Sequence, residues 1–138
     1  MGILSKALCI PYQFILMEEP KTWAEAQSYC RENHIDLATV QSDEDRAKLK
    51  EAANTVNFQS FAWIGFYNGN LWLWSDQTSV SWSSVTWQSG QPDNVNGNEE
   101  CACAGTEGQM ADDTCSTSRA FYCKTRELLC FSSNTLLK

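Results

Sequence analysis

Clustered basic residues are the first thing this chain lacks. Ten Lys and Arg are scattered among 138 residues against seventeen Asp and Glu, for a net charge of −7. Phosphate neutralisation needs Lys and Arg gathered together, so nucleic-acid binding is excluded, and a polybasic membrane patch falls with it. Histidine occurs once, at His34, where charged neighbours beside a helix end imply a solvated surface side chain. Without a second histidine no Ser/His/Asp or Cys/His arrangement can be built, and no Gly-rich phosphate loop occurs, so the chain reads as a non-enzyme. No stretch approaches the roughly 20 apolar residues of a membrane helix, which argues against membrane insertion. There is no Asn-X-Ser/Thr sequon and no internal repeat. The opening residues are apolar but broken by Lys6, so residues 1–10 read as an atypical leader or an N-terminal extension.

Cysteine, in contrast, is plentiful. Seven at scattered spacing imply structural disulfides and a secreted or extracellular setting. Cys101-Ala-Cys103 lacks the two-residue spacer of a zinc knuckle, and with one histidine zinc is the poorer reading. Seven is odd, so at least one thiol is free or bonded to another chain. The remaining composition, 43% hydrophobic, 12% aromatic and 20% charged, suits one globular domain.

Tyr12–Met17 forms an aromatic and branched run that predicts a first strand. Thr22-Trp-Ala-Glu25 is a capping box, with a helix to about Asn33 whose Trp23, Ala26 and Cys30 make one buried stripe. Asp36–Val40 predicts a short strand. Ser42 then caps a second helix, to about Ala53, with three acids at its positive end. Phe61–Phe66 reads as a buried strand, and Leu71-Trp-Leu-Trp74 alternates faces. A polar segment without periodicity, Ser89–Glu100, follows, and short strands around Cys101 and Phe121–Cys123 close an α+β order. Trp63, Trp72 and Trp74 fall in strand patterns and belong to the core. Trp82 and Trp87 flank the polar segment, where packing is the default and a ligand contact the alternative.

The polar segment gathers oxygen ligands: Gln91, Asp93, Glu99 and Glu100, with Asp112 and Asp113 further on. Ca²⁺ takes six to eight oxygens from carboxylates, amides and carbonyls. Asp93, Glu99 and Asp112 would offer three negative charges, and Gln91 a neutral oxygen. A solvated acidic loop is the alternative, and spacing alone leaves both open.

Several segments in order carry a resemblance: Trp23-Ala-Glu-Ala-Gln-Ser-Tyr-Cys30, Asp36-Leu-Ala-Thr, Trp63-Ile-Gly-Phe66, Gln91-Pro-Asp93, Glu99-Glu-Cys101, and Cys115 with Cys123. The chain resembles a C-type lectin-like domain over residues 11–124, leaving 125–138 as a C-terminal tail. The resemblance implies two helices flanking small antiparallel sheets, a long binding loop, and disulfides Cys30–Cys123 and Cys101–Cys115. The first would close most of the chain into one loop, worth about 4–5 kcal/mol by chain entropy. Antiparallel terminal strands would bring Cys9 to Cys130 and leave Cys103 as the odd thiol. The resemblance also maps a calcium and sugar site onto Gln91, Asp93, Glu99 and Asp112, with Pro92 cis. Amide before acid in Gln-Pro-Asp implies galactose-type sugars.

Two departures count against a full site. Met110-Ala-Asp112 stands where the family has Trp-Asn-Asp, so Ala111 withholds an oxygen ligand and an amide donor, and Asp113 could shift into the gap only as an acceptor. A second calcium site is not expected, since Asn68 and Asn94 stand where acids often occur. The leading expectation is a calcium-dependent, galactose-leaning carbohydrate-binding domain with a weakened calcium site. The alternatives are calcium-independent recognition of a protein partner and, behind it, ice binding. Useful avidity would require several domains or subunits.

Overall fold

The computed structural model describes residues 7–10, 12–126 and 129–132. Its elements are β1 (Ala7–Ile10), β2 (Gln13–Lys21), α1 (Trp23–Asn33), β3 (Asp36–Leu37), α2 (Asp43–Thr55), β4 (Ala62–Asn68), β5 (Trp72–Trp74), β6 (Cys101–Ala104), β7 (Met110–Asp113), β8 (Arg119–Thr125) and β9 (Leu129–Ser132). Strands β2, β8, β4, β6 and β7 form one sheet in that order, with β3 added on β8 and β5 on β4. No helix among the described residues is long and apolar enough to cross a membrane.

The helices begin where their caps dictate. Thr22 accepts from the Glu25 amide at 3.3 Å while the Glu25 carboxylate accepts from the Thr22 amide at 3.0 Å, a complete capping box. Ser42 accepts from the Asp45 amide at 3.0 Å, and α2 runs two residues past Ala53, to Thr55. The strand expected over Asp36–Val40 pairs only at Asp36–Leu37. Ala38 still bonds both neighbours, its amide to Tyr122 and its carbonyl to Gly65, and the segment stays buried without continuing the ladder. The strand expected over Phe61–Phe66 runs over Ala62–Asn68 instead.

The core has two parts. Phe14, Leu16, Val40, Leu49, Ile64, Phe66 and Trp74 pack beneath α2. Trp23, Cys30, Leu37, Trp63, Phe121 and Cys123 pack beneath α1. Trp63 is fully buried, its indole N–H donating to the carbonyls of Lys21 at 3.0 Å and Thr117 at 3.2 Å. Trp72 and Trp87 are half-buried; Trp72 stacks on Phe66, and Trp87 lies tilted to Phe66 and edge-on to Trp72, so Trp87 is a packing residue. Trp82 reaches the same ring edge-on yet stays 57% exposed. His34 is half-buried beside the Tyr29 ring at the end of α1, less solvated than its charged neighbours implied.

Disulfides Cys30–Cys123 and Cys101–Cys115 are present, with sequence separations of 93 and 14. Cys103 is a buried free thiol. Burial raises its pKa to about 12, so it stays protonated. β1 and β9 pair antiparallel, which draws part of the expected leader and part of the expected tail into one ribbon. Their register sets Cys9 opposite Cys130; the two side chains, and so the bond itself, lie outside the described residues.

Candidate functional site

The polar segment is anchored at both ends by backbone bonds. At its start Gln88 donates to the Met110 carbonyl at 2.8 Å and Met110 donates to the Thr86 carbonyl at 2.9 Å. At its end the Asn68 amide donates to the Glu100 carbonyl at 2.8 Å. Between these anchors the chain passes a cis Gln91–Pro92 bond, a left-handed Asn94 at φ 45° and a 3₁₀ turn at Val95–Gly97.

Few backbone bonds stabilise the interior of the loop; side-chain acceptors hold it. Asp112, buried on β7, accepts from the Asp93 amide at 3.0 Å and from the Asn94 amide at 2.8 Å, one bond to each carboxylate oxygen. The Val95 amide donates to Glu99 at 3.0 Å and to Asp93 at 3.3 Å, and the Glu99 amide donates to the Asn94 side chain at 3.0 Å. These bonds bring carboxylate oxygens of Asp93, Glu99 and Asp112 within 4.8 Å of one another. Gln91 lies alongside, its NH₂ donating to Asp93 at 3.2 Å and its oxygen accepting from the Asp112 amide at 3.3 Å. All four expected site residues are therefore brought together.

Three converging carboxylates perturb one another. Asp93 is held below the usual carboxylate range, first by its hydrogen bond with the Glu99 carboxyl and then by the Val95 amide and Gln91. Glu99 is pushed above its usual range, first by burial and then by that same bond to Asp93.

The donor set tests which cation would suit. Carboxylates and an amide are hard oxygen donors that fit Ca²⁺, and no nitrogen or thiolate ligand joins them as zinc would require. The set falls short of six oxygens. Ala111 adds no side-chain donor, and the Gln91 amide must turn over before its oxygen can face the carboxylates. Asp113 does not fill the gap, because Arg119 grips it at 2.7 Å and the Thr114 amide bonds it at 2.8 Å. Glu100 also stays outside the carboxylate cluster: it is exposed, at the edge of a different cavity. A hollow of about 270 Å³ adjoins the cluster, lined by Phe61, Gln88, Cys103, Ala111 and Arg119.

The profile described as Lectin C-type domain matches residues 19–125. The chain belongs to the C-type lectin family. Rattus norvegicus asialoglycoprotein receptor 1 is 29% identical over 135 residues, covering 88% of this chain and 46% of the receptor, so the chain spans about half of that relative. C-type lectin lectoxin-Enh5 of Pseudoferania polylepis is 31% identical over 118 residues, covering 79% of this chain and 73% of its own length. Among solved structures, the C-type lectin CEL-I from Cucumaria echinata shares the fold at a TM-score of 0.73, with 22% identity over 87% of this chain and 91% of its own. The α+β, disulfide-tied lectin fold expected from the sequence is the one present.

Sequence reasoning missed the loop's internal wiring. Nothing in the spacing announced that Asn94 would cap the Glu99 amide, or that Asp112 would bind two loop amides, because both contacts join residues far from any regular period.

Proposed function

We propose that this lectin domain binds carbohydrate with the help of one Ca²⁺, held by Asp93, Glu99, Asp112 and Gln91, and that it leans towards galactose-type sugars. The convergence of three carboxylates within 4.8 Å carries the reading. The ion, when bound, would supply a Lewis-acidic contact for two vicinal sugar hydroxyls. The side chains around it set the hydrogen-bond polarity: Asp93 and Glu99 accept from the hydroxyls, and the Gln91 amide donates. Gln91 before Asp93 is the order that favours galactose-type geometry, and Ala111 removes the donor for the second hydroxyl. That loss makes for a weak site, one that gains useful avidity only through several copies. The disulfides support extracellular placement, whether secreted or as a receptor ectodomain.

A second reading keeps the fold and drops the ion: the domain recognises a protein partner. Asp112 supports it, since both of its oxygens already accept loop amides and hold the loop without a cation. Isothermal titration with CaCl₂, with Glu99→Ala as control, separates the two. Calcium heat that vanishes in the control supports the lectin reading and leads to a glycan screen. No heat and no rise in melting temperature favours the protein partner.

A further inference from the structure

The tripeptide Asn-Gly-Asn occurs twice, at residues 68–70 and 96–98. An asparagine followed by glycine is a chemically weak link. The next backbone nitrogen can attack the side-chain carbonyl carbon, and glycine has no side chain to crowd that approach. The two copies share their immediate covalent context, so a difference in reactivity between them comes from the fold.

The fold treats them differently. Gly97 ends the 3₁₀ turn at Val95–Gly97, and its amide donates to the Asn94 carbonyl at 2.8 Å. That bond must break before the nitrogen can attack, and an N–H donating to a carbonyl gives up its proton less readily. Gly69 lies in the exposed turn between β4 and β5, where its amide finds no acceptor among the described residues. The turn is also uncrowded: a Cβ built on Gly69 would meet no atom within 4 Å. Nor is the side chain of Asn68 tied down. Its Oδ1 has no hydrogen-bond partner, whereas the Asn94 oxygen accepts from the Glu99 amide and the Asn33 NH₂ donates to the Tyr29 carbonyl, both at 3.0 Å.

We propose that Asn68 is a site of spontaneous deamidation, converted to aspartate and isoaspartate faster than its twin Asn96. The Gly69 nitrogen loses its proton and bonds to Asn68 Cγ; the Cγ–Nδ2 bond breaks, and ammonia leaves with that proton. Water then opens the cyclic imide at either carbonyl, giving aspartate or, with the chain rerouted through the side chain, isoaspartate. No electrons are gained or lost. Both products add a negative charge at residue 68, on the cavity that Glu100 also lines, in a chain already at −7. Isoaspartate further adds one main-chain atom directly after the residue whose amide donates to the Glu100 carbonyl at 2.8 Å. The far anchor of the acidic loop therefore weakens as the protein ages, whether or not the loop holds an ion.

The test is to age the chain in EDTA at 37 °C and pH 8.5, once folded and once in guanidinium with its disulfides reduced. Chymotryptic peptides carrying residues 68 and 96 are followed by mass spectrometry, with isoaspartate resolved from aspartate by elution. In the folded domain Asn68 should convert at least fivefold faster than Asn96; in the unfolded chain the two rates should agree within about twofold. Gly69→Ala puts a methyl group into open space at an ordinary φ. It should slow conversion at residue 68 at least tenfold and leave residue 96 unaltered. In the isolated isoaspartate form, hydrogen exchange at the residue 68 amide should quicken at least threefold. Equal rates in the folded domain, a faster Asn96, a preference that persists in the unfolded chain, or indifference to Gly69→Ala would overturn the site. Unaltered exchange would overturn its consequence for the loop.

Discussion

The core around Trp63 and the acidic loop are held by different means. Trp63 is buried against Phe121, anchored by two indole hydrogen bonds and flanked by the Cys30–Cys123 bridge, so several independent interactions specify one arrangement. The loop relies on side-chain acceptors, chiefly Asp112, Glu99 and Asn94, each answering one or two exposed amides. Redundancy in the first region makes it tolerant of single losses. The loop has no such reserve, and the carboxylates that hold its shape are the ones proposed to hold an ion. Shape and ligand affinity should therefore fail together in the loop and separately in the core.

The largest effect should come from the core's covalent tie. Replacing both Cys30 and Cys123 by Ala removes a bridge of 93-residue separation, worth about 4–5 kcal/mol. Thermal melting should drop by about 10–20 °C. Calcium affinity measured well below the new midpoint should be nearly unaltered; if it collapses too, the two regions are not independent.

Asp112→Ala should do the reverse. Two loop amides lose their acceptor, for a stability cost of about 1–3 kcal/mol read from urea denaturation. Calcium affinity should fall by at least the ~10–100-fold that supporting contacts around a metal contribute. Ala111→Asn sharpens the comparison from the other side. Restoring an amide should raise calcium affinity about tenfold, ~1.4 kcal/mol by titration calorimetry, with little change in melting temperature.

The smallest expected effect concerns Cys103. Its folded pKa is raised from 9.0 to about 12, so the folded state keeps a proton that the unfolded state releases. The thiol's contribution is thus complete below pH ~9 and is lost as pH rises towards 12. At pH 10 the stability advantage of the natural chain over Cys103→Ala should have shrunk by about 1 kcal/mol relative to pH 7.5, measured by urea midpoints. An unchanged difference would mean the thiol is not shielded as its burial implies.

The fold was legible because its signals are local or periodic. The capping box at Thr22 and the Trp23, Ala26, Cys30 stripe placed α1. The alternation at Trp72–Trp74 placed β5, with Trp74 inward and Leu73 outward. The family resemblance, not spacing, supplied the disulfide pairing; the crowding of oxygen ligands had already singled out Gln91, Asp93, Glu99 and Asp112, and the resemblance added the sugar site. The fates of Glu100 and Asp113 were not legible. Each sits one residue from a cluster member, and only the backbone's course at that point decides that Glu100 stays outside the cluster and Asp113 faces Arg119. The lone acceptor of Asn68 was equally silent, because a missing partner is a property of the surroundings and leaves no mark on the residue type.

The ribbon of β1 and β9 has a mechanical consequence. Ala7 pairs with Ser132 at its open end, Leu8 with Phe131, Cys9 with Cys130 and Ile10 with Leu129. A force pulling residues 7 and 132 apart loads these pairs one at a time, like a zipper, and reaches the sheet only after the last has parted. The ribbon would yield first, at low force, and shield the acidic loop from tension. A Cys9–Cys130 bond would halt the zipper at its third pair and turn the same ribbon into a clasp.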